Sequence, residues 1–189
     1  RLTAANGHTW TFDDAGRVVS RVSTADGSRV EFQWDADDNL VMARTFESGN
    51  GSPVHEIRYG YDALGRRVYR EVDGVRQFFI HDFTDVVMEM NQAGGVDAFY
   101  LHEPAMDNPL GMYRDGEWYA VIADGLGSIR GLVRLSDRTL VRTWSYSPFG
   151  RLAGTSGTIE FRYGFQGRET DPLTGLIHFR ARELDPMAG

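Results

Sequence analysis

The sequence of 189 residues contains no cysteine and no lysine, so all 20 of its basic side chains are arginine. Without cysteine the chain can form no disulfide scaffold, no thiolate-bound zinc site and no cysteine nucleophile. Its 27 carboxylates outnumber the arginines and give a formal charge of −7, which argues against nucleic acid or an anionic membrane as the main partner. No apolar run approaches the roughly 18 residues of a membrane-spanning helix, so we expect no membrane span.

Glycine, in contrast, is abundant, with 22 residues, and much of it belongs to a short pattern that recurs along the chain. In three copies, aromatic or apolar residues at alternate positions precede an Asp, and a Gly or Asn follows three or four residues after that Asp; the fourth copy has Ser147 in place of the Asp. The copies occupy residues 10–18, 32–40, 59–68 and, less closely, 144–152. Recurrence of one short unit is typical of a repeat protein.

Each copy is typical of a β-hairpin. Side chains at alternate positions of a strand lie on one face, Asp bonds its own downstream backbone, and Gly supplies a positive φ. Since one hairpin alone is marginally stable, we predict an all-β array of stacked antiparallel hairpins with few short helices. The predicted core anchors are Trp10, Phe12, Trp34, Tyr59, Tyr61, Trp144, Tyr146, Phe149, Tyr163 and Phe165. The predicted turn glycines are Gly16, Gly65, Gly125, Gly127, Gly150, Gly167 and Gly175.

The remaining secondary structure is less regular. The best candidates for helices are residues 82–91 and 103–111, both short. Residues 43–55 are rich in Gly, Ser, Asn and Pro towards their end and indicate a longer, mobile loop.

A series of motifs follows residue 119 in a fixed order. The blocks are D-x-x-G-S at 124–128, Y-x-P-F-G at 146–150, F-Q-G-R-E at 165–169, D-P-x-T-G-L at 171–176 and D-P-x-x-G at 185–189. This order resembles the C-terminal core of the RHS/YD-repeat family, and the earlier units, most clearly Tyr61-Asp62-Ala63-Leu64-Gly65-Arg66, resemble its YD repeats. On this basis we divide the chain into YD-type hairpin repeats (1–118) and an RHS core-associated segment (119–189).

The resemblance implies a β-sheet ribbon wound into a spiral shell or barrel, secreted or displayed on the surface of a bacterium. In relatives such shells enclose a C-terminal toxin domain or, in teneurins, take part in adhesion. The implied partners are neighbouring repeats of the same polypeptide, other copies of the chain and possibly an enclosed toxin domain. No catalytic residue, metal ligand or cofactor is carried over. Because there is no initiator methionine, we expect a segment of a longer polypeptide.

Several features have a second interpretation. Asp171 and Asp185, each followed by Pro, either begin turns or belong to a self-cleaving pair of aspartates, which some relatives contain in a longer chain.

Asp35, Asp37 and Asn39 imitate the opening of a calcium loop, but the sixth and twelfth positions of such a loop do not match. Gly125 and Gly127 favour a tight turn over a phosphate-binding loop, because a strand pattern follows them. Unpaired strand edges would also allow a self-assembling filament, and exposed aromatic residues an adhesin that binds glycans.

Overall fold

A computed structural model describes residues 3–104 and 108–188. Almost all of its regular structure is β, and the single helical element is a 3₁₀ turn at Phe165–Gly167. None of the described residues forms a helix long and apolar enough to cross a membrane. The strands are β1 (Ala4–Ala5), β2 (His8–Phe12), β3 (Val18–Ser23), β4 (Arg29–Trp34), β5 (Leu40–Phe46), β6 (His55–Tyr61), β7 (Arg67–Val72), β8 (Val75–Asp82), β9 (Asp85–Asn91), β10 (Val96–His102), β11 (Pro109–Arg114), β12 (Glu117–Ala123), β13 (Ile129–Arg134), β14 (Leu140–Tyr146), β15 (Leu152–Ser156), β16 (Glu169–Thr170), β17 (Ile177–His178) and β18 (Glu183–Leu184).

The first fifteen strands follow one another in chain order as an antiparallel meander. The prediction of an all-β array of antiparallel hairpins is therefore confirmed. The described residues divide into two compact units. The first contains residues 3–76 and 172–188, and the second contains residues 77–104 and 108–171. The predicted boundary after residue 118, between the YD-type repeats and the RHS core-associated segment, does not coincide with the limits of these units, and it stays a prediction.

The turn between β6 and β7 explains why the repeat needs its Asp and its Gly. The Asp62 carboxylate accepts hydrogen bonds from the backbone N–H groups of Leu64 (2.9 Å) and Arg66 (3.0 Å). The side chain of Arg66 returns to the same carboxylate through Nε at 2.7 Å. Gly65, the fourth residue of the turn, has a φ of 74°, which a residue with a Cβ atom adopts only at a cost. Asp therefore satisfies the backbone of the turn, and Gly provides its left-handed step.

The same five-residue turn recurs along the chain. Its first residue is Asp, Asn or Ser, whose backbone N–H donates to the carbonyl of the fifth residue and whose side chain accepts from that residue's N–H. The fourth residue has a positive φ in every copy. The further copies are Asp13–Arg17, Asp35–Asn39, Asn91–Gly95, Asp124–Ser128 and Ser147–Arg151. The recurring pattern in the sequence is thus a recurring network of local hydrogen bonds.

Of the predicted turn glycines, Gly16, Gly65, Gly127, Gly150, Gly167 and Gly175 all have positive φ. Gly125 also lies in its turn, but its φ is not positive. It is the second residue of its turn, a position that takes ordinary backbone angles and is filled by Ala63 in the repeat described above. Any small residue would satisfy the backbone there.

Each unit has its own hydrophobic core on one face of its strands. In the first unit the core consists of Phe32, Leu40, Ala43, Ile57, Tyr59 and Leu176. In the second it consists of Phe79, Val86, Ala98, Tyr100, Met112, Tyr119, Ile129, Leu132 and Tyr163. Most of these side chains alternate along their strands with exposed or half-buried ones, as expected for a sheet with one covered face.

The predicted aromatic anchors differ in burial. Trp10, Tyr59, Tyr163 and Phe165 are buried. Phe12, Trp34, Tyr61, Trp144 and Tyr146 are half-buried. Phe149 was wrongly predicted as a core residue, because its side chain is 60% exposed. It is the third residue of its turn, and the third residues of two other copies, Leu64 and Leu126, are also exposed, at 78% and 76%. The third position of this turn points its side chain into solvent whatever the residue.

The two short segments predicted as helices contain strands. Most of residues 82–91 form β9, which pairs on both sides, with Met88 opposite Ile80 and Phe99. In the second segment β11 begins at Pro109, and residues 105–107 lie outside the described part. Pairing with two neighbours outweighs a weak helical periodicity. The predicted loop at 43–55 is shorter than expected, because β5 extends to Phe46 and β6 begins at His55.

Candidate functional site

Two of the aromatic anchors bond to the backbone of the preceding repeat. The indole Nε1 of Trp34 donates to the carbonyl oxygen of Val18 at 2.7 Å, and the hydroxyl of Tyr61 donates to that of Leu40 at 2.9 Å. Val18 and Leu40 are each the first residue after a five-residue turn. Each aromatic residue therefore both packs in the core and ties its repeat to the one before it.

Arg17 links two neighbouring turns electrostatically. Its Nε bonds the carboxylate of its own turn residue, Asp13, at 2.7 Å, and its Nη1 reaches the Asp35 carbonyl (2.8 Å) and the Asp38 carboxylate (3.0 Å) of the next turn. The side-chain hydrogen bond from Arg17 lowers the pKa of Asp13 below its usual value. An arginine is suited to this position because its planar fork donates in several directions at once.

The last described part of the chain, residues 172–188, covers the core face of the first unit; we call it the C-terminal segment. Its Asp185 accepts a hydrogen bond from Arg21 Nη1 at 2.9 Å through Oδ1 and from Trp10 Nε1 at 2.9 Å through Oδ2. Arg21 also donates to the Thr174 carbonyl at 2.6 Å and is only 8% exposed. Both carboxylate oxygens of Asp185 are thus occupied by donors from β2 and β3.

A second buried ion pair holds the same segment. Arg67 Nη2 lies 2.6 Å from Oε1 of Glu183, and His178 Nδ1 lies 2.7 Å from the same oxygen. His178 and Glu183 face each other because β17 and β18 pair in that register. The Arg67 guanidinium also lies over the ring of Tyr59, 4.5 Å from its centroid. These contacts join β18 to the aromatic anchors of β6.

A cavity of about 330 Å³ lies between the C-terminal segment and the strands. Phe32 and Trp34 form part of its wall on the strand side, and Leu176, Arg182 and Glu183 contribute from the segment. Its lining combines aromatic side chains with charged groups. The described residues around it contain none of the arrangements that activate a nucleophile or a water molecule.

In the second unit, residues 159–163 cover the core face and bring a charged network into it. Glu89, 3% exposed, accepts hydrogen bonds from Arg114 at 2.6 Å and from Arg162 at 3.1 Å. Arg162 also donates to Glu169 at 2.6 Å, and its guanidinium lies 3.5 Å from the ring centroid of Phe79. Burial opposes the charge of Arg162, but Glu169 and Glu89 outweigh it and raise its pKa above the usual value.

Tyrosines pack beside this network. Burial raises the pKa of Tyr100 and of Tyr163, so both hydroxyls stay protonated. The Tyr163 hydroxyl donates to the Val86 carbonyl oxygen at 3.2 Å, and Nε2 of His102 lies 3.0 Å from the same oxygen. The Tyr100 and Tyr163 rings meet edge to face with centroids 5.3 Å apart. The cluster is therefore suited to packing and not to nucleophilic chemistry.

The calcium and phosphate interpretations fit the geometry poorly. In the Asp35 turn the carboxylate accepts from the N–H groups of Asp37 and Asn39 and from the Asn39 side chain, at 2.9 to 3.0 Å, so its oxygens face their own turn. Gly127 leads into β13 rather than into a helix. The described ranges contain no group of three or more His, Cys, Asp or Glu residues placed to hold a metal ion.

Sequence reasoning missed the buried charges. It predicted no buried position for Arg21, Arg67, Glu89, Arg162 or Glu183. The sequence contained a signal for Arg21 and Glu89, because each occupies an inward position of its strand and the neighbouring side chains of that strand are apolar or small. A charge at such a position indicates a buried partner elsewhere in the chain.

A single-layer meander of Asp-initiated turns and aromatic anchors, covered on one face by its own irregular segments, defines a YD-repeat β-structure. The chain belongs to the teneurin YD-shell family, whose model matches residues 1–189. The predicted membership of the RHS/YD-repeat group is thereby confirmed.

Relatives occur in bacteria and animals. The chain is similar to the tRNA3(Ser)-specific nuclease WapA of Bacillus spizizenii, with 26% identity over 100% of this chain and 8% of the relative. It is similar to teneurin-3 of Mus musculus, with 27% identity over 79% of this chain and 6% of the relative. It is also similar to toxin protein Tse5 of Pseudomonas aeruginosa, with 38% identity over 41% of this chain and 6% of the relative. The chain thus spans less than a tenth of the length of these relatives.

A solved structure has the same fold. The crystal structure of TcdB2-TccC3-TEV matches 96% of this chain and 12% of its own with a TM-score of 0.65 and 13% identity. The structure of the Photorhabdus luminescens Tc holotoxin pore, with the TccC3 mutation D651A, matches 96% of this chain with a TM-score of 0.59 and 12% identity. At such identities the likeness supports the fold alone.

Proposed function

We propose that this chain is a wall segment of a β-shell in a secreted or surface-displayed bacterial protein, and that the shell encloses or presents a C-terminal toxin or adhesive domain of the same polypeptide. The observation that carries the proposal is the way the strands of each unit are covered. One layer of strands has its core face closed by an irregular segment of its own chain, and buried ion pairs such as Arg21–Asp185 and Arg67–Glu183 fix the segment in place. A wall needs this kind of internal closure and needs no catalytic group.

The names of the relatives support this role. Tse5 is named as a toxin protein, WapA as a tRNA nuclease, and TccC3 as part of a toxin complex. Since the chain matches only 4 to 12% of the length of the proteins compared with it, their activities are not transferred to it. The common element is a YD-type segment within a much larger protein.

The self-cleavage alternative is less well supported by the contacts of Asp185. An aspartate that shares a proton with a second carboxyl group needs a free oxygen, and both oxygens of Asp185 accept from Arg21 and Trp10. We therefore assign Asp185 the role of an anchor for the C-terminal segment.

Electron cryomicroscopy of the natural full-length protein tests the proposal. We expect a closed, hollow particle, with the polypeptide beyond residue 189 protected from added protease until the shell is opened with denaturant. The matched variants are Asp185→Ala, which removes the anchor, and Asp37→Ala at an exposed turn position. Opening of the particle in the first variant alone supports the assignment. An extended or filamentous particle, or immediate digestion of the downstream domain, would contradict it.

A filament is the second candidate, favoured by one observation. β15, Leu152–Ser156, is the last strand of the meander, and all five of its residues are exposed. An exposed edge strand can pair with another chain. Filaments in electron micrographs that disappear when Thr155 is replaced by proline would select this candidate.

A further inference from the structure

A row of apolar side chains crosses the second unit on the face opposite its core. Ile80, Met88, Phe99, Tyr113 and Trp118 are successive cross-strand partners on β8, β9, β10, β11 and β12. We call these five residues the apolar row. Ile80, Phe99 and Trp118 remain 44%, 38% and 40% exposed. The Phe99 and Tyr113 rings are 6.5 Å apart, and the Tyr113 and Trp118 rings 5.2 Å.

The corresponding face of the first unit is built differently. There the cross-strand row contains Glu31, Arg44 and Glu56, opposite one another on β4, β5 and β6. Arg44 and Glu56 form an ion pair at 2.7 Å, and Arg58 forms another with Glu56 at 2.7 Å. Alternating charges are what a solvated sheet face carries. The apolar row departs from that pattern, and contiguous exposed apolar surface of this kind marks interaction sites.

The strands that carry the apolar row are also strongly acidic. Residues 75–123, which span β8 to β12, contain eight carboxylates and two arginines, Arg76 and Arg114, and so carry a formal charge of −6. Arg76 forms an ion pair with Glu71 at 2.7 Å. Arg114 does not neutralise the negative charge on the face of the apolar row, because its guanidinium bonds Glu89 at 2.6 Å on the core side. The carboxylates are Asp82, Asp85, Glu89, Asp97, Glu103, Asp107, Asp115 and Glu117.

A cavity of about 320 Å³ joins this charge to the apolar row. Phe99 and Tyr113 form part of its wall, and Asp97 and Asp115 stand beside them. Arg114 also lines the cavity, but its guanidinium is turned away as described above. Aromatic rings next to carboxylates are the surroundings that bind an ammonium or guanidinium group.

We propose that the apolar row and this cavity bind an extended, cationic polypeptide segment, with apolar side chains on the row and an arginine or lysine side chain in the cavity between Asp97 and Asp115. The charge selects this occupant over others. A second copy would bring an equally acidic surface against it, and an anionic lipid surface would be repelled in the same way. The docking surface lies within the second unit and does not depend on the proposed shell.

Binding of a short fluorescein-labelled peptide that alternates leucine and arginine tests the proposal by fluorescence anisotropy. The control peptides replace arginine by glutamate or leucine by serine. We expect binding of the first peptide, weakened by about tenfold or more at high salt because the carboxylates are exposed to solvent. The glutamate peptide should not bind, and the serine peptide should bind about tenfold more weakly, since the row contributes apolar contact.

Variants of the protein localise the site. Trp118→Ser, and separately Asp97→Asn with Asp115→Asn, should each weaken binding about tenfold. Asn at position 97 can still accept from Asn91, and Asn at position 115 tolerates the positive φ found there. The matched controls, Leu126→Ser and Asp137→Asn, alter exposed residues of the same unit and should leave the affinity unchanged.

Several outcomes would overturn the proposal: no binding of the leucine–arginine peptide, equal binding of the glutamate peptide, or equal losses in the control variants. A dimer in sedimentation experiments that Trp118→Ser abolishes would assign the row to a second copy instead. Circular dichroism melting checks that each variant is folded. If Trp118→Ser fails to fold, the double aspartate variant decides the question.

Discussion

The ion pair between Arg21 and Asp185 should determine whether the C-terminal segment stays bound. In Asp185→Ala, Arg21 keeps only the Thr174 carbonyl as a partner, and the Trp10 indole loses its acceptor. The two side chains of the pair are 10% and 9% exposed, so water compensates little. Removing one member of a buried ion pair costs about 3–5 kcal/mol, and the remaining carbonyl places this case near 3 kcal/mol.

Hydrogen–deuterium exchange of residues 172–188 measures this effect directly. A loss of about 3 kcal/mol corresponds to roughly 150-fold faster exchange of amides that exchange through local opening of the segment. Asp37→Ala, at an exposed turn, is the control and should leave these amides unchanged. Adding Arg21→Met to Asp185→Ala should recover part of the loss, because no buried charge is then left unpaired. Unchanged exchange in Asp185→Ala would refute the reasoning, as would a double variant that is less stable than the single one.

Three further predictions concern the repeats. Tyr61→Phe should lower the free energy of unfolding by about 1 kcal/mol in urea titrations, because it removes the hydrogen bond to the Leu40 carbonyl. Phe149→Ala, at an exposed turn position, should change the free energy of unfolding by less than about 0.5 kcal/mol, and equal effects would contradict the linking role of Tyr61. Hydrogen bonds from Ser23, and to a smaller extent from Ser28, lower the pKa of Asp26 from 3.8 to about 2, so the stabilising contribution of Asp26 is complete above pH about 4 and is lost as the pH falls through 2. NMR titration should find a pKa of about 2 for Asp26 in the native protein and a higher pKa in Ser23→Ala, and a native pKa near 3.8 would contradict the prediction. Gly157→Ala should be more destabilising in thermal melts than Gly49→Ala. Both glycines have a positive φ, which costs an alanine about 1–2 kcal/mol, but only at Gly157 would the new Cβ lie 2.0 Å from a backbone atom, the Val141 oxygen. Similar losses in the two variants would show that the close approach to Val141 does not matter.

Local hydrogen bonding explains which parts of the fold could be predicted. The Asp62 turn closes within five residues, so its Asp, Gly and Arg stand at fixed spacing in the sequence. The alternation of apolar residues predicted the strands on either side of this turn, because that pattern too is contained within a few neighbouring residues. Two predictions failed where other forces decided. Residues 82–91 have a weak helical periodicity, but β9 pairs with a strand on each side and this pairing outweighs it. Phe149 is exposed because the third position of its turn faces solvent, although its side chain is hydrophobic.

The sequence alone determined that the chain is an array of antiparallel hairpins, since each turn and each strand pattern is encoded within a few neighbouring residues. Tertiary structure decided which face of each unit is covered and which charges are buried. Trp10 and Asp185 are 175 residues apart in the chain, and Arg67 and Glu183 are 116 apart. No periodicity connects such positions, because their contact depends on how the C-terminal segment returns to the sheet. The apolar row likewise becomes visible only when the register of β8 to β12 places its five residues side by side.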